Sequence, residues 1–159
     1  MKAPLPFALL VAVLVAPGLT AQAPARSGPS AADVKFITGM IPHHAQAVKM
    51  GRWVPTHGAS AALQRFAERI VVAQRDEIAA MRTWLRQQGQ PVPDTNATHM
   101  MMKMDGMDHA MLMPGMLTDE EMAKLDGLRG VEFDRFFLWS MIKHHGGAVS
   151  MVDELFASY

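Results

Sequence analysis

From Asp33 onward apolar residues return at steps of three and four, with Phe36, Ile37, Met40, Ala47 and Val48 in one stripe, the spacing of an amphipathic helix. Asp33 suits an N-cap or first-turn carboxylate. Pro42 is awkward inside this helix, because proline removes an amide donor and tends to kink the chain. Pro55 and Gly58 close the first helix, and Ala59 to Gln88 reads as a long second one with Leu63, Phe66, Ile70, Ile78, Met81 and Leu85 on its inner side. Gly89 and Pro91 stop it. Residues 90–117 lack apolar periodicity and offer no strand of any strength, so they are expected to form a loop, and loops that long are usually functional or disordered. Thr118-Asp119-Glu120-Glu121 is a capping box opening a short third helix to Leu128. Gly130 separates it from a last helix over Glu132 to Phe156. The expected class is all-α, a four-helix bundle with a long methionine-rich loop between the second and third helices.

The segment before this pattern changes the picture of where the protein works. Lys2, the apolar run Leu5 to Val15 and the small-residue site Ala21-Gln22-Ala23 read as a signal peptide over residues 1–25. Pro24 is unfavourable directly after that site, so cleavage after Ala21 or Ala25 is equally open. The apolar run is too short for a membrane span, which needs about 20 residues. A single mature domain, residues 26–159, is therefore expected in the periplasm or outside the cell, without stable membrane insertion. Lys+Arg and Asp+Glu balance at 15 each, which argues against a basic field for nucleic acid. The chain has no cysteine. An oxidising compartment would convert thiols to disulfides, whereas thioethers stay available as soft ligands.

The helical pattern also contains a repeat. Asp33 to Met50, DVKFITGMIPHHAQAVKM, returns 101 positions later as Asp134 to Met151, DRFFLWSMIKHHGGAVSM. Lys143 stands where the first copy has Pro42. At about 100° per residue, His43 and His44 flank the apolar stripe around Met40, and His144 and His145 flank that around Met141. Neighbouring histidines on a helix diverge by about 100°, so one pair rarely closes on a single ion alone. A histidine on an apolar face is commonly a hydrogen-bonded core residue and a helical methionine is commonly packing. Here, however, a structural role would require four imidazoles to be satisfied at once. Imidazole and thioether together suit copper, Cu(I) foremost.

These paired segments, with GMLTDEEMAKLDGLRGVEFDRFF leading into the second, resemble the domain-of-unknown-function 305 family, which includes CopM-like periplasmic copper-binding proteins. The resemblance runs from Asp33 to the C-terminus. It implies a ferritin-like four-helix bundle and, for studied members, binding of copper and sometimes silver. Carried over by position, it makes Met40, His43, His44, Met50, Met141, His144, His145 and Met151 candidate ligands. Gln74, Glu77, Ile78, Met81 and Trp84 also look familial, and Met81 is either a further thioether ligand or a core residue.

The expected loop supplies a second candidate set. From His99 to Met116 it reads HMMMKMDGMDHAMLMPGM, in which Met102, Met104 and Met107 and then Met111, Met113 and Met116 repeat a Met-x-Met-x-Gly-Met pattern at an offset of nine. Gly106 and Gly115 would let sulfurs converge on one ion. Thioethers suit Cu(I) or Ag(I) and discriminate against hard cations; His99 and His109 could assist. The alternatives are a hydrophobic flap or a partner surface. His57 reads as a helix-end residue.

The expected function is non-enzymatic: sequestering or carrying Cu(I), with Ag(I) or Cu(II) as further cargo, and copper-transport or resistance proteins as candidate partners. Two alternatives remain, a ferritin-like redox enzyme and a structural or partner-binding bundle. A di-iron bundle needs inward Glu and Glu-x-x-His motifs, which the paired histidines lack.

Overall fold

The structure is a computed structural model that describes residues 28–159, so the expected signal peptide lies outside the described residues. Four helices and one hairpin make up the fold: α1 (Ala31–Trp53), a 3₁₀ turn (Val54–Thr56), α2 (Ala61–Gln87), β1 (Met100–Met104), β2 (Met107–Met111), α3 (Asp119–Gly127) and α4 (Gly130–Ala157). The fold is mostly helical, as expected, but the helices are unequal: α3 has 9 residues against 23, 27 and 28 for α1, α2 and α4. No helix among the described residues is long and apolar enough to cross a membrane.

Local chemistry explains where the elements begin. Ser30 is the N-cap of α1 and Asp33 its capping-box partner: the Ser30 hydroxyl accepts from the Asp33 amide, and the Asp33 carboxylate accepts from the Ser30 amide at 2.7 Å. Thr118 and Glu121 form the expected box on α3. Ser60 caps α2 through the Leu63 amide. The helix runs on through Pro42, which is buried.

Two expectations are corrected. Residues 90–117 are not structureless: β1 and β2 pair antiparallel, with Met100 opposite Met111, Met102 opposite His109 and Met104 opposite Met107. The turn is Asp105-Gly106, with φ of 53° and 80°, the left-handed pair that a two-residue hairpin requires and that Asp-Gly supplies. The second correction concerns α2, where Phe66 is 37% exposed and Ala67 and Gln74 occupy the buried face instead. The inward stripe runs Leu63, Ala67, Gln74, Ile78, Met81, Leu85, so it includes one amide.

The packing is arranged around α1. Lys35 pairs with Glu154 at 2.6 Å, the Tyr159 hydroxyl bonds to Asp33, and His43 meets His144, so α4 lies antiparallel to α1. His44 meets Glu77 and Gly51 meets Val71, so α2 runs antiparallel along another side. Two apolar clusters result, one around Met50, Val54, Leu125, Phe133 and Phe137, the other around Met40, Ile41, Ile78, Leu85 and Met151.

Residues 113–117 cross the α1/α4 seam as a strap, held by a buried clamp. The Gln46 amide donates to the Leu117 carbonyl at 2.9 Å, and its carbonyl accepts from the Leu117 amide at 2.8 Å. The strap can lie this close only because α4 has a glycine beneath it: a Cβ on Gly147 would stand 1.9 Å from the Pro114 oxygen. Gly147→Ala is therefore expected to destabilise the fold by roughly 1–3 kcal/mol through overpacking. Gly146→Ala, with nothing within 4 Å of the added methyl, should be neutral or stabilising by up to about 1 kcal/mol. Urea unfolding of both variants checks the pair; equal effects would mean that the strap does not bear on Gly147.

Candidate metal centre

The antiparallel pairing of α1 with α4 puts the two histidine motifs face to face. The rings of His43 and His144 lie 3.7 Å apart between centroids, tilted by 35°, and both residues are buried. His144 Nε2 donates to the His43 carbonyl at 3.0 Å, and His43 Nε2 donates to the Pro114 carbonyl at 3.2 Å. A carbonyl only accepts, so Nε2 carries the proton in each ring and Nδ1 of the neutral imidazole carries the lone pair. Both Nδ1 atoms are buried without a hydrogen-bond partner. These are two ligand-ready nitrogens held in the interior.

Burial keeps them neutral. Desolvation is the chief cause that lowers His43 from 6.5 to about 4, reinforced by the neighbouring His44; the carbonyl of Pro114 opposes it only in part. Desolvation, then the charge of His43, lowers His144 to about 2.

The second histidine of each pair turns toward α2. His44, half-buried, bonds through Nε2 to Glu77 Oε2 at 2.7 Å and leaves its own Nδ1 unpartnered. Its pKa is lowered by desolvation, with Glu77 pulling the other way. His145 is exposed and faces the Gln74 amide at 3.5 Å. His44 and His145 share a shallow cleft with Gln74 and Glu77. The rings thus follow one another as His44, His43, His144, His145 at 6.2, 3.7 and 6.1 Å. Among the described residues no three His, Asp or Glu side chains converge on one point.

Sulfur is at hand on both sides. Antiparallel packing sorts the motif methionines across the copies: Met40 and Met151 share one apolar cluster with Met81, whereas Met50 and Met141 share the other. Met113, half-buried, joins the first; a Cβ on Gly39 would stand 2.7 Å from its methyl and 3.5 Å from that of Met151. All five motif and α2 methionines are buried.

The loop candidates separate into two environments. Met116 is buried, and its sulfur accepts from the Met113 amide at 3.2 Å. Met113 and Met116 therefore lie in the strap, beyond the end of β2 at Met111. The pleat places Met100, Met102, Met107, His109 and Met111 on one face of the hairpin, and Met104 pairs in the same register row opposite Met107. Met107 is 63% exposed, and Met102, His109 and Met111 are also open to solvent. His99 stands apart, with Nε2 3.6 Å from Asp119. His57 is buried at the end of the 3₁₀ turn and bonds Asp126, as a helix-end residue does.

Sequence reasoning missed Gln46, Pro114 and Gly147. The signals were present: a glutamine inside an apolar stripe, and Gly146-Gly147 inside a helical pattern, which marks close backbone approach.

A mostly helical protein with two Met-Ile-x-His-His segments packed against each other defines the class. The chain belongs to the family described as Domain of unknown function (DUF305), which matches residues 33–158. Among solved structures it is similar to a DUF305 protein of Streptomyces coelicolor named as a candidate secreted protein, at 33% identity and a TM-score of 0.62 over 77% of this chain and 70% of that one. A DUF305 fragment from Deinococcus radiodurans is similar at 27% identity and a TM-score of 0.62, covering 78% and 76%. CopM in a Cu(II)-bound form is similar at 32% identity and a TM-score of 0.57, covering 78% and 74%. An uncharacterized protein of Acanthamoeba polyphaga mimivirus is 32% identical over 53 residues, a stretch that spans 33% of this chain and 35% of that protein.

The buried neutral pair sets a pH dependence. Unfolded imidazoles titrate near 6.5, above the folded values, so the unfolded chain takes up protons first as pH falls. The metal-free protein should lose about 1.4 kcal/mol per pH unit for each of the two groups below that point, until His43 itself titrates at about 4. Urea midpoints followed through this range should show the loss, with a flatter slope in His43→Gln. An unchanged slope in that variant would show that His43 is not held neutral by the fold.

Proposed function

We propose that the protein binds copper, Cu(I) foremost with Ag(I) and Cu(II) as further cargo, in the periplasm or outside the cell, and sequesters or carries it without turning over a substrate. The observation that carries this reading is the buried pair of unpartnered Nδ1 atoms on His43 and His144 with thioethers on either side. A purely structural pair would leave two buried acceptors unsatisfied, at about 1–3 kcal/mol each. Neutral imidazole and neutral sulfur favour a soft monovalent ion. In this reading Nδ1 of His43 and His144 holds the ion and Met40, Met50, Met141 and Met151 supply sulfur, with Met81 and Met113 in reserve. His44 and His145 form an outer, solvent-facing pair whose borderline nitrogens also accept Cu(II).

Similarity to a Cu(II)-bound protein supports copper, and similarity to a candidate secreted protein supports the compartment. The same reading takes the four helices as a ferritin-like bundle with a short fourth member, and the exposed hairpin as the surface that captures the ion before transfer inward or to a copper-transport or resistance protein.

Anaerobic competition against a Cu(I) chelator should give binding tighter than micromolar, and X-ray absorption should count both sulfur and nitrogen neighbours. A first shell without sulfur, or binding weaker than micromolar, would overturn the reading. Changing Met100, Met102, Met107 and Met111 together to Leu should lower the Cu(I) or Ag(I) stoichiometry while helical circular dichroism is unaltered. Unchanged capacity would remove the hairpin from the function and leave the seam.

A further inference from the structure

A cleft of ≈640 Å³ lies between α1 and α2, away from the histidines, on faces that the copper reading does not use. Its α1 wall is Ala45, Val48, Lys49, Arg52 and Trp53, and its α2 wall is Arg75, Ile78, Ala79 and Arg82. Both sets recur at steps of three and four, so each is a continuous helix face. Thr95 and Asn96 close one end. Four cations therefore surround one concavity in a chain whose formal charge is zero.

Three observations separate this from an ordinary solvated basic face. No carboxylate lines the cleft, and none of the four cations makes an ion pair among the described residues. The acids beside the lining residues in sequence do not enter the cleft: Asp76 and Glu77 are absent from its lining, Glu77 bonds His44 at 2.7 Å, and Asp94 accepts from the Asn96 amide at 3.0 Å. Most specifically, Arg82 Nε is buried and has no hydrogen-bond partner. A guanidinium N–H without an acceptor is costly, because it has lost water and gained nothing. The floor is also shaped for more than a lone ion: Trp53 presents an indole with Lys49 Nζ 5.8 Å from its ring, and Ile78 and Val48 add apolar surface. The volume falls in the range of small-molecule sites, roughly 300–1,000 Å³.

We propose that this cleft binds a small multivalent oxyanion, a polycarboxylate or a phosphate ester, whose charge is gripped by Arg52, Arg75 and Arg82 with Lys49 at the rim. Planar guanidinium groups bind carboxylate and phosphate oxygens through paired N–H donors, which a lysine-only patch could not do. The site is independent of the copper reading and does not share a residue with it.

Citrate and pyrophosphate, as carboxylate and phosphate probes, distinguish the two sources of the anion when titrated into the mature protein and followed by amide NMR shifts. The expected result is one saturable site for at least one probe, with shifts confined to the facing sides of α1 and α2. Arg75→Gln and Arg82→Gln should each weaken binding by about tenfold or more, Arg82→Lys should restore part of it, and Arg65→Gln and Arg86→Gln should leave it within about twofold. Arg75 is exposed, so its variant tests the site even if Arg82→Gln fails to fold. Shifts that never saturate, or equal weakening by the control variants, would overturn the proposal. So would binding to phosphatidylglycerol vesicles with none to either probe, which would make the face a membrane contact. Cu(I) capacity measured in Arg75→Gln should be unchanged, so failure of one site leaves the other standing.

Discussion

The strap over Gly147 is the contact on which the rest of the molecule depends. Pro114 and Gly115 lie against the α4 backbone at a distance that no side chain on residue 147 would permit. That approach delivers the Pro114 carbonyl to His43 and, with the Gln46 clamp on Leu117, closes the α1/α4 seam to water. Exclusion of water is what holds His43 and His144 neutral, and neutrality is what leaves a lone pair on each Nδ1. Backbone geometry at one glycine thus reaches the chemistry of two imidazoles.

The repeated segment does not behave as two equal halves. Asp33 caps its own helix, whereas Asp134 accepts from the Ser60 amide at the start of α2. Pro42 is buried in α1; Lys143, its counterpart, pairs with Glu121 of α3 at 2.6 Å. His44 has a carboxylate partner in Glu77 and His145 an amide in Gln74, both supplied by α2. The inner pair is alike in chemistry and the outer pair is not, because α2 has no symmetry mate across the seam. The Glu77 carboxylate opposes the desolvation that lowers the His44 pKa, while the Gln74 amide donates to Nε2 of His145.

α2 consequently serves two faces. Gln74 and Glu77 meet the outer histidines, and one step around the helix Arg75, Ile78 and Arg82 face the cationic cleft. Soft neutral ligands lie on one side of α1 and hard positive donors on another. The thioether hairpin stands apart from both, its row of sulfurs exposed where a packed core would have hidden them. In the proposed readings, separation of this kind lets a soft cation and an oxyanion be held without competing for ligands.

Helices were legible because apolar periodicity is local: α1, α2, α3 and α4 begin and end within a few residues of the places marked by Asp33, Pro55, Gly89, the Thr118 box and Gly130. The paired histidines and their methionines were legible as candidate chemistry, since imidazole and thioether are recognisable from residue type alone. The hairpin was misread although Asp105-Gly106 announced it, because methionine gives neither a polar alternation nor a strong strand preference. Phe66, expected on the inner side, is 37% exposed, while Gln74 is buried and directs its amide toward His145 of another helix. What the sequence by itself determined was four helices, a repeated segment of histidines and methionines, and a second methionine-rich segment. Only the tertiary structure decided that the copies meet at His43 and His144, that Met40 joins Met151 and Met50 joins Met141, and that the second thioether set splits between strap and hairpin. The reason is that burial, tautomer and ligand partnership are set by residues about a hundred positions away in the chain, brought near only by antiparallel packing.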